Sequence, residues 1–480
     1  MKKFLNTAYK REQTWHNAVF FGVVTVCLIL CFVPAGNIES GYKYPMENVY
    51  TQYDQYALQF NAFLNGHTEL DANPDERLEQ LENPYDPAQR SGINYLWDIA
   101  YYNGSYYSYF GIAPILTVYY PIFILTGTIA SKALVCLILG MAAVIFIALA
   151  YREVIFRFCR EPNLLLSCAG LIAVMTASGV YVGILYSDTY YIAVLSALAC
   201  SSAFIYLGFR AMRTPRLLPR AFLLVAAAIA LTLTVWSRPT VTIMCLMILP
   251  LFIDFAAKIR KDTLKEGIVT IASFVLPLLI GAGAVMTYNA MRFSSPFDFG
   301  ANWQLTVNDI SKNKFDLALF FPALGSFFLQ APEPQKNFPF ITWSLCRFAP
   351  FDDSVRYIYH EKTVGAFAFG LPIASLLAPV TVDFSKDKVK AATFLTVPLL
   401  SVFVAFTDYC LAGVNFRYLI DFLPILSAVS AALCLGLHEK ATGKLRRAIT
   451  VACLLLFGAS VVMCLGVLSA GTSQAMLSMI

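Results

Sequence analysis

The sequence predicts an all-α polytopic membrane protein of about 11 transmembrane helices, with the N-terminus inside and the C-terminus outside. Three observations carry that expectation. Hydrophobic residues make up 58% of the 480-residue chain and charged residues only 14%, well under the roughly 25% that soluble domains use to cover their surfaces. The mean hydropathy is +0.63. Charge-free apolar runs recur along the whole length, and basic clusters fall in alternate connections between them, the distribution that marks cytoplasmic loops.

The first run, Ala18–Ala35, follows Lys2, Lys3, Lys10 and Arg11. It is close to the ~20 residues that span a bilayer, and no small-x-small cleavage site follows it. It reads as a retained first helix. Ten further runs follow, at Ala133–Ala150, Leu164–Tyr186, Tyr190–Phe209, Ala221–Ser237, Val241–Ile253, Ile268–Ala290, Val364–Val382, Ala391–Thr407, Phe422–Leu437 and Ile449–Ala470. The chain forms a single integral membrane domain, without internal repeats.

One more run, Gly111–Gly127, decides the topology. If it does not cross, the clusters Arg152/Arg157/Arg160, Arg210/Arg213/Arg216/Arg220, Lys258/Arg260/Lys261/Lys265, Lys386/Lys388/Lys390 and Lys440/Lys444/Arg446/Arg447 all fall inside. If it crosses, all five move outside. The positive-inside rule therefore favours an interfacial or re-entrant segment. Pro114 and Pro121 fit that broken path. Two large outer loops result, 36–129 with juxtamembrane helices and 291–363 with the apolar patches Leu317–Ala331 and Phe338–Phe340.

The twelve cysteines lie mostly in apolar runs and read as packing residues. Only Cys346 and Cys410 fall in outer segments, where a bridge is conceivable. The net charge of +5 gives no indication of nucleic acid. His16, His67, His360 and His438 show no metal-ligand spacing, so no cofactor is assigned and a divalent metal stays open.

Candidate chemistry gathers at the outer ends of the runs. Tyr53, Tyr56, Ala57, Phe60, Phe63 and Leu64 share one helical face, which places Asp54 in the first turn of a helix on the outer membrane surface. A carboxylate there can accept a proton from a hydroxyl nucleophile. The alternative, favoured by spacing alone, has Thr51 as N-cap and Asp54 as a dipole-favourable residue three positions on.

Asp98 lies in a tyrosine-dense stretch with Tyr106 and Tyr107. That stretch reads by default as a membrane-interface belt, and alternatively as a sugar- or lipid-binding wall. Asp188 reads as a helix cap or a site acid. Arg238 sits in a tight outer turn and calls for an anionic partner, either a protein carboxylate or a substrate phosphate. Arg417 and Asp421, four residues apart, either pair with each other or meet a ligand. Arg292 is a further outer-end cation. Because ionisable groups gather at the ends and avoid mid-span, the pattern fits chemistry at the outer surface better than translocation.

These features resemble GT-C glycosyltransferases, polytopic enzymes that use polyprenyl-phosphate sugars. The layout is similar to that of protein O-mannosyltransferases and lipid A aminoarabinose transferases. Asp54 occupies the acidic position of the first loop, and Ala113-Pro114 through Thr126-Gly127 resembles the second juxtamembrane segment. Asn83-Pro84-Tyr85-Asp86-Pro87, Tyr106-Tyr107-Ser108-Tyr109-Phe110-Gly111, Ser237-Arg238-Pro239-Thr240 and Phe416-Arg417-Tyr418 look like an uncharacterised branch from Gram-positive anaerobes.

Two departures stand out. The acidic pair is a single Asp54 followed by Gln55, and the lysine-proline-proline motif is replaced by Tyr109-Phe110-Gly111. The resemblance implies an inverting transfer at a bacterial plasma membrane from a polyprenyl-phosphate sugar to a cell-envelope glycan, lipid or protein. Asp54 would be the base, Arg238 and Arg417 would hold the donor phosphate, and the lipid tail would lie between spans. A transporter or flippase for lipid-linked saccharides, or a non-catalytic assembly factor, is the alternative.

Overall fold

The computed structural model describes residues 2–35, 43–44, 54–348, 361–383 and 385–477. Among them, eight helices are long and apolar enough to cross a membrane. They are His16–Ala35, Lys132–Phe158, Leu164–Tyr186, Thr189–Arg213, Leu217–Val235, Lys261–Phe293, Lys388–Ala412 and Gly443–Ala470. Each contains one of the eleven runs named above, apart from a residue or two at the ends.

The other three runs form shorter or less apolar elements. Val241–Ala257 passes through a 3-10 turn at Leu246–Ile248, just before Pro250. Leu371–Thr381 is largely 3-10, with Pro372 and Pro379 removing donors. Leu423–Lys440 is an 18-residue helix whose last turn carries His438, Glu439 and Lys440.

Lys132–Phe158 packs along Thr189–Arg213, which packs along Leu217–Val235, and that helix lies against the long helix ending at Phe293. On the other side, Leu164–Ala177 packs against both Leu423–Lys440 and the final helix. Leu164–Tyr186 breaks at Ser178-Gly179. Gly179 has φ +72°, and a Cβ there would overlap Ile420, the residue before Asp421. The glycine therefore supplies both the left-handed turn and the close approach.

The basic connections meet at one end of this bundle. Arg157 pairs with Asp387 at 3.0 Å, and Arg210 and Arg213 pair with Glu153 at 3.5 and 3.1 Å. Glu439 accepts from the amides of Arg160 and Glu161, and Lys390 donates to the Phe158 carbonyl. Four of the five clusters thus share one end, and Arg220 stacks over Phe255 beside the fifth. The start of the first helix lies at the same end, where Arg152 Nη2 donates to Asn17 Oδ1 at 2.6 Å, so the 111–127 run does not cross. It forms a five-residue π turn and a seven-residue α-helix ending at Gly127, roughly 18 Å at 1.5 Å per residue, against the ~30 Å of a hydrocarbon core.

At the opposite end the two large loops form one layer. The Asp98 amide donates to Leu305 and the Leu305 amide to Ile99, at 2.9 and 3.0 Å. Asn83 Nδ2 reaches Asp309 at 2.9 Å, and Arg90 donates to the Thr306 carbonyl. The all-α expectation is relaxed here, because the described residues include four two-stranded antiparallel ladders. In one of them Ala100–Tyr102 pairs with Ser105–Tyr107 around Asn103-Gly104, both at positive φ, the turn chemistry of a tight hairpin. None of the twelve cysteines is in a disulfide, so Cys346 and Cys410 are not bridged. Cys346 instead contacts the Ser326 hydroxyl at 3.0 Å.

Candidate functional site

Asp54 begins the Gln55–Leu64 helix. Its backbone is extended, at φ −114° and ψ 111°, and Oδ1 accepts from the amides of Tyr56 (3.0 Å) and Ala57 (3.4 Å). Asp54 is therefore itself the N-cap, a correction to the alternative that put the cap at Thr51, which lies outside the described residues. Oδ2 accepts from the Tyr119 hydroxyl at 3.2 Å, so the second juxtamembrane segment supplies that contact. The side chain is fully buried. Burial pushes its carboxyl above the ordinary range, against the opposing pull of Lys132, the two amides and Tyr119. An oriented carboxylate of raised basicity has the character of a general base.

Aromatic contacts lead from Asp54 to Asp98. Tyr56 stacks on Tyr119 and lies 5.6 Å from the Phe110 ring. Phe110 in turn stacks on Tyr109 at 4.4 Å and meets the edge of Tyr190 at 5.7 Å. The Tyr109 hydroxyl donates to Asp98 Oδ2 at 3.0 Å, and the Tyr190 hydroxyl donates to the same oxygen. Gln55 Nε2 donates to the Asp98 carbonyl at 2.8 Å. Asp98 has φ +56°, a left-handed conformation that costs a non-glycine residue about 1–2 kcal/mol. Of the tyrosines in this stretch, Tyr109 thus turns its hydroxyl to a buried acid.

Arg417 faces the same group. Its guanidinium carbon sits 4.1 Å over the Tyr190 ring and 5.2 Å over the Tyr418 ring, and Nη2 donates to the Tyr418 hydroxyl at 3.4 Å. Among the described residues it makes no ion pair within 4 Å. Asp188 caps the Thr189–Arg213 helix, with Oδ1 accepting from the Tyr191 amide at 2.8 Å, so the cap reading holds for it. Burial pushes the Asp188 carboxyl up, while the Tyr191 amide, Arg417 and Lys132 oppose the shift.

Lys132 was not singled out in the sequence. Yet it directly follows the N-cap Ser131 of its helix, where the helix dipole disfavours a cation. That mismatch was the available signal, and Asp54 and Asp188 are the acids that answer it.

Arg238 has a different environment. Its Nη2 and Nε donate to Asp421 Oδ2 at 2.6 and 3.1 Å, and Thr240 Oγ1 donates to the same oxygen at 3.2 Å. Asp421 therefore pairs with Arg238 rather than with Arg417, a correction to the shared-face pairing. The helix periodicity that relates positions 417 and 421 stops at Ile420, where a four-residue turn ends. Asp408, near the C-terminal end of Lys388–Ala412, lies in the field of Asp421, and both acids are buried. Two buried carboxyls side by side disfavour each other's charge.

The two halves join at Tyr56, whose hydroxyl lies in the fields of both Asp54 and Arg238. The Ala113 amide also donates to the Trp236 carbonyl at 3.1 Å. A Cβ on Gly111 would overlap that carbonyl, so only glycine lets Phe110-Gly111 dock on the Ser237-Arg238-Pro239 turn.

Three candidates stand apart from this cluster. Arg292 donates to the Ser108 carbonyl (2.6 Å) and to Asn289 Oδ1 (2.9 Å) and packs over Tyr288. It ties its helix to the first large loop. Tyr107 packs edge-on against Phe293, and Tyr106 against Tyr101. Both tyrosines belong to the hairpin. Among the described residues, no group of three His, Cys, Asp or Glu side chains is placed to hold a metal ion.

No protein-family model and no curated protein matches the sequence. Among solved structures, the chain is similar to the oligosaccharyltransferase of Archaeoglobus fulgidus in its apo form, with 13% identity and a TM-score of 0.52 over 96% of this chain and 56% of that one. It is also similar to the archaeal oligosaccharyltransferase AglB from the same organism, in complex with an inhibitory peptide and a dolichol-phosphate. There the identity is 14% and the TM-score 0.50, over 94% of this chain and 55% of that one. The chain thus spans about half the length of these neighbours. What the likeness establishes is the architecture: this chain has the GT-C fold that its sequence resembled.

Proposed function

We propose that the protein is an inverting glycosyltransferase that moves a sugar from a polyprenyl-phosphate donor to a cell-envelope acceptor at the outer face of a bacterial plasma membrane. One observation carries this reading. A buried, oriented carboxylate and an arginine without an ion pair among the described residues belong to one cluster, at the end of the bundle opposite the basic loops. The basic end is then cytoplasmic, with the N-terminus inside and the C-terminus outside, and the elements over the three remaining apolar runs, 241–257, 366–381 and 423–440, complete eleven passages. A neighbour of the same fold in complex with dolichol-phosphate supports a lipid-linked donor.

In this reading the acceptor hydroxyl takes the place at Asp54 Oδ2 now held by the Tyr119 hydroxyl. Asp54 removes its proton as the acceptor oxygen attacks the anomeric carbon from the face opposite the phosphate. The bond from anomeric carbon to phosphate oxygen breaks, and its electron pair stays on the phosphate. The leaving monoester gains one negative charge, which the Arg417 guanidinium meets with a planar pair of donors. Asp98 positions Tyr190 beneath Arg417. Arg238, already matched by Asp421, holds the turn that presents Tyr418.

The test uses the purified full chain in nanodiscs, supplied with polyprenyl-phosphate sugars and envelope acceptors, with release of polyprenyl phosphate as the readout. Asp54→Asn is expected to lower turnover by about 10²–10⁴-fold. Undiminished turnover in that variant removes Asp54 as the base. Movement of the lipid-linked sugar across a bilayer with no phosphate release turns the reading to a transporter.

A further inference from the structure

The second outer loop contains apolar segments that the site does not use. Leu317–Leu329 carries no charged residue and forms a helix too short to span. Its inner face buries Ala323, Phe327 and Phe328, while Leu317, Phe321 and Leu329 are 82%, 77% and 60% exposed. A helix apolar on every side is not at rest in water. Phe338 and Phe340 form a second exposed apolar tip. Ile341, the residue after that tip, lies so close to the final spanning helix that a Cβ on Gly466 would meet its carbonyl at 2.7 Å.

The level of the first segment can be read from its contacts. Asn313 Nδ2 donates to the Leu411 carbonyl at 3.0 Å, at the end of the Lys388–Ala412 helix. The rings of Phe315 and Phe320 then meet Phe406 at 6.0 and 5.6 Å. Phe406 lies six residues before Ala412, roughly 9 Å back along the axis at 1.5 Å per residue. The chain therefore turns at the end of a spanning helix and descends beside it. Leu399 and Phe403 of that helix are 70% and 51% exposed, the surface such a span presents to lipid. The outward face of Leu317–Leu329 continues that surface.

We propose that Leu317–Leu329 is embedded in the leaflet on the side of the site, with bilayer acyl chains covering Leu317, Phe321 and Leu329. Its inner face stacks Phe328 on Phe422 at 5.3 Å and sets Phe327 edge-on at 6.2 Å. Phe422 directly follows Asp421, so the embedded segment braces the acid that holds Arg238. The proposal does not depend on the chemistry that the site performs.

The test places a tryptophan at Phe321→Trp and, separately, at Leu317→Trp, with Glu76→Trp in the exposed part of the first outer loop as the aqueous control. Added emission over the five native tryptophans is measured in nanodiscs of nitroxide-labelled phosphatidylcholine and against aqueous iodide. The increment at 321 should fall at least twofold with nitroxide lipid and resist iodide, and Glu76→Trp should show the reverse. Leu317→Trp gives the same readout should Phe321→Trp fail to fold. Either embedded-face position behaving like Glu76→Trp overturns the proposal.

Discussion

Arg238 and Arg417 stand at the same end of the bundle, each beside a tyrosine ring, and their electrostatic circumstances are opposite. Arg238 is largely buried, spends three contacts of its turn on Asp421 Oδ2, and is backed by the second acid Asp408. Arg417 lies over Tyr190 and Tyr418 and makes no ion pair among the described residues. A guanidinium already matched by a carboxylate has little field left for a phosphate. One held by ring faces is anchored through its plane while its charge stays available. The first is built into the fold, and the second is the one we propose for the donor phosphate.

The largest effect that could break this contrast is on stability. Arg238→Ala leaves a buried carboxylate unpaired and should cost about 3–5 kcal/mol, seen as a fall in the thermal midpoint or loss of the monodisperse protein. Arg417→Ala should leave the midpoint within a few degrees yet lower turnover about 10²–10³-fold, and Arg417→Lys should not restore it, because the planar fork is lost. Equal stability losses for the two arginines would erase the distinction.

Asp408 substitutions have smaller expected effects. An amide can donate to Asp421 as a protonated acid does, so Asp408→Asn should stay within about 1 kcal/mol of the parent. Asp408→Leu leaves Asp421 short of a partner and should cost about 1–3 kcal/mol. Chemical denaturation of the two variants separates these outcomes.

The smallest effects are in pH dependence. Burial raises the Asp54 carboxyl and Lys132 lowers it, so the acidic limb of kcat/KM should lie above the ordinary aspartate value, and Lys132→Met should move it further up. Tyr119→Phe removes another lowering contact and should shift the limb the same way. For stability the sign is reversed. A raised folded-state carboxyl contributes stability fully below its unfolded value and loses it as pH rises through the raised folded value. Asp54→Asn should flatten that slope.

Much of the site was legible residue by residue, and its pairing was not. The helical face from Tyr56 to Leu64 placed Asp54 at a helix start, and the capping chemistry was foreseen one turn away from where it occurs. Arg238 was expected to have an anionic partner, since an outer-end cation in a tight turn needs one. That the partner is Asp421, 183 positions away, while Arg417 four positions from it is bypassed, follows from where two turns meet. Lys132 escaped notice because its signal, a cation at a helix N-terminus, is weak until the acids around it are known.

Hydropathy and charge are local properties, so the chain's residues alone set the membrane-length runs, the gathering of basic residues in alternate connections and the short broken path before Gly127. Helix packing decided the rest. It pressed Gly111 onto the Trp236 carbonyl, brought Asp98 to Tyr190 across 92 positions, and paired one arginine while leaving the other to aromatic faces. Ion pairs and ring contacts act over a few ångströms between segments far apart in the chain, and only the folded bundle sets those distances.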